Sequence, residues 1–115
     1  MSVVIYHNPR CSKSRETLEL IRGKGIEPKV VEYLKTPPSA KELKSLVARL
    51  GIAPRDLIRK KEAPYKDLGL DDPKLSDDAL IKAMVENPVL IERPIVVKGD
   101  KAALGRPPEA VLKIL

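Results

Sequence analysis

The sequence predicts an α/β fold: a mixed four-stranded sheet with flanking helices and a helical insertion. Three observations carry that expectation. The chain opens in a strand–helix–strand order, which requires a parallel strand pair joined by a right-handed crossover. It closes with two short apolar runs on either side of Gly99-Asp100, the pattern of an antiparallel hairpin. Between these halves the periodic segments have helical spacing. A chain of 115 residues is expected to form one domain, 1–115, with the insertion at about 39–87.

Each element has a local reason. Ser2 to Tyr6 is rich in β-branched residues and is bounded by Asn8-Pro9, so it reads as a buried strand. From about Ser12 to Arg22, Leu18 and Ile21 set one helical face, Leu20 widens it, and Gly23 and Gly25 supply the stop. Pro28 opens a second strand through Val30, Val31 and Tyr33, which Thr36-Pro37-Pro38 ends. Ser39 with Glu42 three residues later is a capping box. Leu43, Leu46, Val47 and Leu50 follow as one apolar stripe, and Gly51 closes that helix. Pro54 starts a short helix to about Lys61, Pro64-Tyr65 begins another turn, and Asp71-Asp72-Pro73 is a loop. Ser76-Asp77-Asp78 caps a helix that buries Leu80, Ile81, Met84 and Val85 and stops before Asn87-Pro88. Ile95 to Lys98 and Ala102 to Leu104 are the hairpin strands, and Pro107-Pro108 starts a last helix with Val111, Leu112 and Leu115 apolar. The order is that of a thioredoxin-like layout.

Composition narrows the function. With three Tyr and no Phe or Trp, the core is aliphatic and the chain lacks stacking platforms for single-stranded nucleic acid. The net charge of +6 suits an anionic partner. The basic residues are interleaved with acids and form no long run, so no nucleic-acid binding is expected. Nor is membrane association, since the apolar runs are far shorter than a span. A single cysteine and a start, MSVVIY, without a signal-peptide pattern point to a cytoplasmic protein.

The chemistry concentrates in YHNPRCSKSR, residues 6–15, which holds the only cysteine and the only histidine. Cys11 falls where the first strand hands over to the first helix. The free N–H groups of a helix start favour an anion there, as a thiolate or as a bound oxyanion. Arg10, Lys13 and Arg15, with His7, add positive charge nearby, the conditions that lower a thiol pKa. A cysteine that merely packs would not require Pro9 before it, hydroxyls at Ser12 and Ser14 and these cations. Cys11-Ser12-Lys13-Ser14 is a Cys-x-x-Cys dithiol with oxygen in place of the second sulfur. It cannot resolve its own mixed disulfide, so an outside thiol must do so. One Cys and one His make no metal site. Glycine-rich phosphate loops are absent. The arginine that a cysteine-phosphatase loop needs six positions after its Cys is Thr17 here.

In these residues, and in YLKTPPS at 33–39, LIRKKEAPYKDLGL at 57–70, NPVLIERPIVV at 87–97 and GRPPE at 105–109, the chain resembles the glutaredoxin-dependent arsenate reductase family. It looks most like the short arsenate-reductase-related members. The resemblance implies a thioredoxin-like fold with a helical insertion and the reduction of arsenate to arsenite through a covalent Cys11 adduct. It implies that Arg59, Arg93 and Arg106 hold the oxyanion, that His7 and Ser14 tune the thiolate, and that Pro94 is a cis-proline facing the cysteine. Glutathione is the implied reducing co-substrate, glutaredoxin the implied partner, and no cofactor is tightly bound. Spacing alone does not bring the three arginines together: Arg59 could lie on an exposed helix face, Arg93 in an ion pair, Arg106 at a loop cap. Two alternatives remain open. One is a glutathione-linked thiol oxidoreductase using the same residues on another substrate. The other is an Spx-like RNA-polymerase-binding regulator, against which Ser14 in place of a second cysteine argues.

Overall fold

A computed structural model describes residues 2–115. Its contacts divide the chain into two units, one formed by the residues up to Thr36 with Arg93–Leu115, the other by Pro37–Glu92.

The first unit is a mixed sheet with helical cover. Its elements are β1 (Val3–His7), α1 (Ser12–Gly23), β2 (Lys29–Glu32), β3 (Ile95–Lys98) and β4 (Lys101–Leu104), followed by a 3-10 segment, Pro108–Lys113. The sheet order is β2-β1-β3-β4. β1 pairs parallel with β2, with His7 opposite Glu32, and antiparallel with β3, with Tyr6 opposite Ile95. β3 and β4 form the expected hairpin, closed by Gly99 at φ 62°. This is the thioredoxin-like sheet. The antiparallel β1–β3 register sets the end of β1 beside the start of β3, so the loop after His7 and the Arg93-Pro94 step lie at one end of the sheet. Val3 and Ile5 of β1, Leu18 and Ile21 of α1, Val96 and Val111 form one buried aliphatic cluster. Fully burying each such side chain is worth about 1.5–3 kcal/mol.

Two details differ from the periodicity. The C-terminal segment is 3-10 rather than α-helical, with Ala110 N–H on the Pro107 carbonyl and Ile114 N–H on that of Val111. Two prolines remove the first donors, and short pieces of this kind are where 3-10 winding occurs. It seats Val111 in the core and leaves Leu112 exposed. In the helix Asp77–Glu86 of the second unit, Ala83 takes the buried place expected for Val85, which is half-buried.

The close approach in this unit is at Gly105. Its N–H donates to the Pro94 carbonyl at 3.0 Å, which extends the hairpin ladder by one bond. A Cβ there would meet Thr17 Oγ1 at 2.5 Å and Pro94 Cγ at 2.7 Å. Thr17 is fully buried and donates to the Lys13 carbonyl at 2.7 Å, so it has little room to retreat. Gly105→Ala is therefore expected to destabilise the fold by about 3 kcal/mol, the upper range for overpacking, read as a lowered urea midpoint. An unchanged midpoint would show that this contact yields freely.

The second unit is helical. It contains α2 (Ala40–Leu50), α3 (Pro54–Leu57), α4 (Ala63–Asp67), α5 (Asp77–Glu86) and a 3-10 turn, Pro88–Leu90. The caps are those read from the sequence: Ser39 Oγ accepts from Glu42 N–H at 3.1 Å, Ser76 Oγ from Ala79 N–H at 3.1 Å, and Gly51 ends α2 at φ 69°. α2 buries Leu43, Leu46 and Val47, and α5 packs against α2 and α3. The helix expected to reach Lys61 stops at Leu57. Ile58 leaves it in an extended conformation to bridge Ile91 antiparallel, with Arg59 N–H on the Leu90 carbonyl at 2.7 Å and Glu92 N–H on that of Leu57 at 2.8 Å. Long-range backbone pairing, with Ile58 and Ile91 both buried, outweighs local helix preference there. No helix among the described residues is long and apolar enough to cross a membrane.

Candidate active site

Cys11 is the N-cap residue of α1. Asn8-Pro9-Arg10-Cys11 is a β-turn closed by Cys11 N–H on the Asn8 carbonyl at 3.0 Å, and the Asn8 Oδ1 accepts from Arg10 N–H at 3.0 Å. Asn at the first turn position and Pro at the second are the residues this geometry selects. Arg15 reinforces the turn by donating from Nη1 to the Pro9 carbonyl at 2.8 Å. The thiol is thus carried on a turn tied at both ends and left half-exposed.

Partial burial pushes the Cys11 thiol up, but the backbone N–H of Ser14, the Arg93 guanidinium and the N–H of Lys13 outweigh it, and the net shift is downward. The N–H groups act as dipoles on the sulfur without closing a side-chain cap bond. The acting cation is therefore Arg93, from the far end of the sequence, and not the neighbours expected to do this work. Arg10 is exposed. Arg15 is held on Pro9, and the Lys13 ammonium lies 3.8 Å from Glu16.

His7 and Ser14 are buried together. The Ser14 Oγ accepts from Asn8 N–H at 3.0 Å and lies 2.6 Å from His7 Nδ1, which places its proton to donate to a neutral ring. Burial lowers the His7 pKa; Arg22 and Arg15 lower it further, while Glu32 opposes them. His7 thus adds no charge to the site at neutral pH, contrary to expectation, and its single resonance should titrate with a midpoint below about 6.5 in NMR. Folded His7 binds its proton less tightly than unfolded, so its contribution to stability is full above about pH 6.5 and is lost as pH falls through the lower folded value.

Ser14 touches the thiolate through its N–H, whereas its hydroxyl serves His7 and Asn8. Ser14→Ala is expected to cost about 1–3 kcal/mol, because two buried groups lose their partner. The pH midpoint for Cys11 alkylation should stay near that of the native protein. A large shift in that midpoint would assign the hydroxyl itself to the thiolate.

The Arg93–Pro94 peptide is cis, as is Arg106–Pro107, which the sequence did not suggest. Gly105 N–H on the Pro94 carbonyl ties the backbones preceding Arg106 and following Arg93. Within the first unit the fold therefore gathers Cys11, His7, Ser14, Arg93, Pro94 and Arg106 at one end of the sheet, with Arg106 exposed. Arg59 belongs to the second unit. Its side chain is 19% exposed, not on an open helix face, and its Nη1 donates to Glu92 Oε1 at 2.8 Å. Among the described residues no group of three potential ligands could hold a metal ion.

Asn8, Thr17, Gly105 and Glu92 were not singled out as site residues. Asn8 had a readable signal, Asn before Pro. The others act through partners distant in sequence.

A model of the ArsC family matches residues 6–114. Uncharacterized protein YfgD of Escherichia coli K12 is 59% identical over 114 residues, covering 98% of this chain and 96% of that protein. An arsenate reductase of Haemophilus influenzae is 55% identical over 116 residues, covering 100% of both. A solved structure, an arsenate reductase from Vibrio cholerae, superposes with a TM-score of 0.98 at 60% identity, covering 100% of this chain and 98% of that one.

Proposed function

This chain belongs to the ArsC family, and from that membership we propose that it is a thiol-dependent arsenate reductase with Cys11 as its nucleophile. The observation that carries the reading is the placement of Cys11: an N-cap thiol lowered by Ser14 N–H, Arg93 and Lys13 N–H against its own burial. Those donors suit a thiolate and equally an oxyanion approaching it. Arg93 and Arg106 hold the oxyanion, for which planar guanidinium forks are suited.

The Cys11 thiolate attacks arsenic, forming a sulfur–arsenic bond as hydroxide or water leaves. A glutathione thiolate then attacks the adduct at the cysteine sulfur. A disulfide forms, the electron pair of the sulfur–arsenic bond stays on arsenic, and As(V) becomes As(III), released as arsenite. The Cys11–glutathione disulfide is opened by a second thiol, glutathione or a glutaredoxin. The outside thiol is required because position 14 is Ser and the chain has one cysteine. The reductants place this chemistry in the cytoplasm, where thiols are kept reduced.

The test is arsenate-dependent NADPH oxidation coupled through glutathione, glutaredoxin and glutathione reductase. Turnover with arsenate, lost when glutathione is omitted, is expected. No arsenate turnover from a protein whose Cys11 alkylates rapidly at neutral pH would keep the thiolate and reassign the substrate to another oxyanion or a glutathionylated thiol.

A further inference from the structure

Arg10 stands in the turn that carries the thiol, and its backbone is held on both sides. Its N–H donates to Asn8 Oδ1 at 3.0 Å, Arg15 holds the Pro9 carbonyl at 2.8 Å, and Cys11 N–H closes the turn on Asn8 at 3.0 Å. The Arg10 side chain is exposed and makes no hydrogen bond or ion pair among the described residues. The cations around it are engaged: Arg15 on Pro9, Lys13 beside Glu16, Arg93 at the Cys11 sulfur. Beyond burial, the groups acting on that sulfur are Ser14 N–H, Arg93 and Lys13 N–H; Arg10 is not among them. Most exposed arginines are simply solvated. Arg10 differs in that its backbone is fixed one residue from the nucleophile, about 3.8 Å between Cα atoms.

The reaction has a second substrate to place. With one cysteine, and Ser14 where a dithiol has its second sulfur, an outside thiol must reach Cys11. Glutathione carries two carboxylates and one ammonium, so it is an anion at neutral pH. Its thiol is on the middle residue, and each carboxylate is one to two residues away, about 3.5–7 Å of chain. An arginine side chain rooted beside Cys11 is long enough to cover that distance while the thiol meets the cysteine sulfur. Its guanidinium fork pairs with a carboxylate through two parallel bonds. We propose that Arg10 is the docking residue for the thiol co-substrate: it pairs with a carboxylate of glutathione and so favours an anionic thiol over an uncharged or cationic one in the attack on the Cys11 adduct. In that attack a sulfur–sulfur bond forms to Cys11, and the electron pair of the sulfur–arsenic bond leaves on arsenic. The proposal rests on the reading that an outside thiol opens the adduct.

The test charges the full chain with 2,2′-dithiodipyridine, which leaves a neutral thiopyridyl group on Cys11, the only cysteine. A thiol that attacks the Cys11 sulfur forms a disulfide with it and releases thiopyridone, whose absorbance gives the rate without arsenate. Arg10→Ala is expected to slow release by glutathione about fivefold, the upper end for an exposed ion pair, and to leave the rate with glutathione diethyl ester within about twofold. High salt should shrink the native preference for glutathione toward that of the variant, because an exposed pair is screened. Arg10→Lys, which keeps the charge and loses the fork, should restore part of the rate. Lys24→Ala, which removes an exposed cation at the other end of α1, should change neither rate. In the coupled assay the glutathione KM should rise by the same factor in Arg10→Ala, while the arsenate KM and the pH midpoint of Cys11 alkylation hold. A native rate with glutathione in Arg10→Ala overturns the proposal. So does a parallel fall with the ester, since the arginine would then act on the sulfur or the turn and not on a carboxylate. A raised arsenate KM with native thiopyridone release assigns Arg10 to the oxyanion and overturns it too. Absence of arsenate turnover would count against the arsenate reading alone, because thiopyridone release does not involve arsenate.

Discussion

Cys11→Ser is expected to abolish arsenate turnover, lowering kcat about 10⁴-fold or more, the scale on which enzymes lose rate when a covalent nucleophile is removed. A serine hydroxyl does not ionise near neutral pH, so the cradle of Ser14 and Lys13 N–H groups and Arg93 would face a neutral oxygen. The same substitution should leave the fold intact. Cys11 is an N-cap with no side-chain cap bond, and serine is among the preferred N-caps, so the thermal midpoint should hold or rise. The pH dependence of stability separates the two proteins further. The folded thiol loses its proton more readily than the unfolded one. Its stabilising contribution is therefore full above the unfolded value of about 8.5 and is lost as pH falls through the folded value. The native protein should gain stability relative to the serine variant between neutral and alkaline pH. Turnover by Cys11→Ser at a native rate would end the mechanism. Parallel stability profiles would show that the thiol is not shifted.

Arg93→Ala should have the second-largest effect, and it should appear in two readouts. The guanidinium is the side chain that acts on the Cys11 sulfur, so its loss leaves burial opposed only by the two N–H groups. The thiol titration moves up, and the acid limb of the kcat/KM profile moves with it to higher pH. The oxyanion also loses a charged donor, which should raise the arsenate KM about a hundredfold, the scale for truncating one partner of a desolvated charge pair. Arg93→Lys separates the effects. An ammonium restores much of the thiolate shift, because charge is enough for that, and little of the KM, because the planar fork is gone. Equal recovery of both by lysine would mean that only charge matters at this position.

The relation between sequence and site is clearest in single residues. Asn8-Pro9 marks a turn, Ser39 and Ser76 mark helix starts, Gly51 and Gly99 mark stops, and the stripe at Leu43, Leu46 and Val47 marks a buried face. These are interactions within a few residues, encoded in residue type and period. Cys11 at a helix start is legible for the same reason, and with Ser14 beside it so is the need for an outside thiol.

The tertiary structure decided what acts on that thiol. Arg93 is 82 positions from Cys11 in the chain, and it reaches the sulfur because β3 runs antiparallel beside β1. His7 is neutral rather than cationic because burial, a collective property of everything packed around it, outweighs the nearby Glu32. The helix after Pro54 ends early because Ile58 finds Ile91, and that bridge puts Glu92 on Arg59. A side chain at Gly105 is excluded because Thr17 of α1 and Pro94, just ahead of β3, arrive beside it. Residue types and short spacings determined the elements of this protein and put its cysteine at a helix start. Which distant charges and side chains meet was settled by strand pairing and burial, which depend on the whole folded chain.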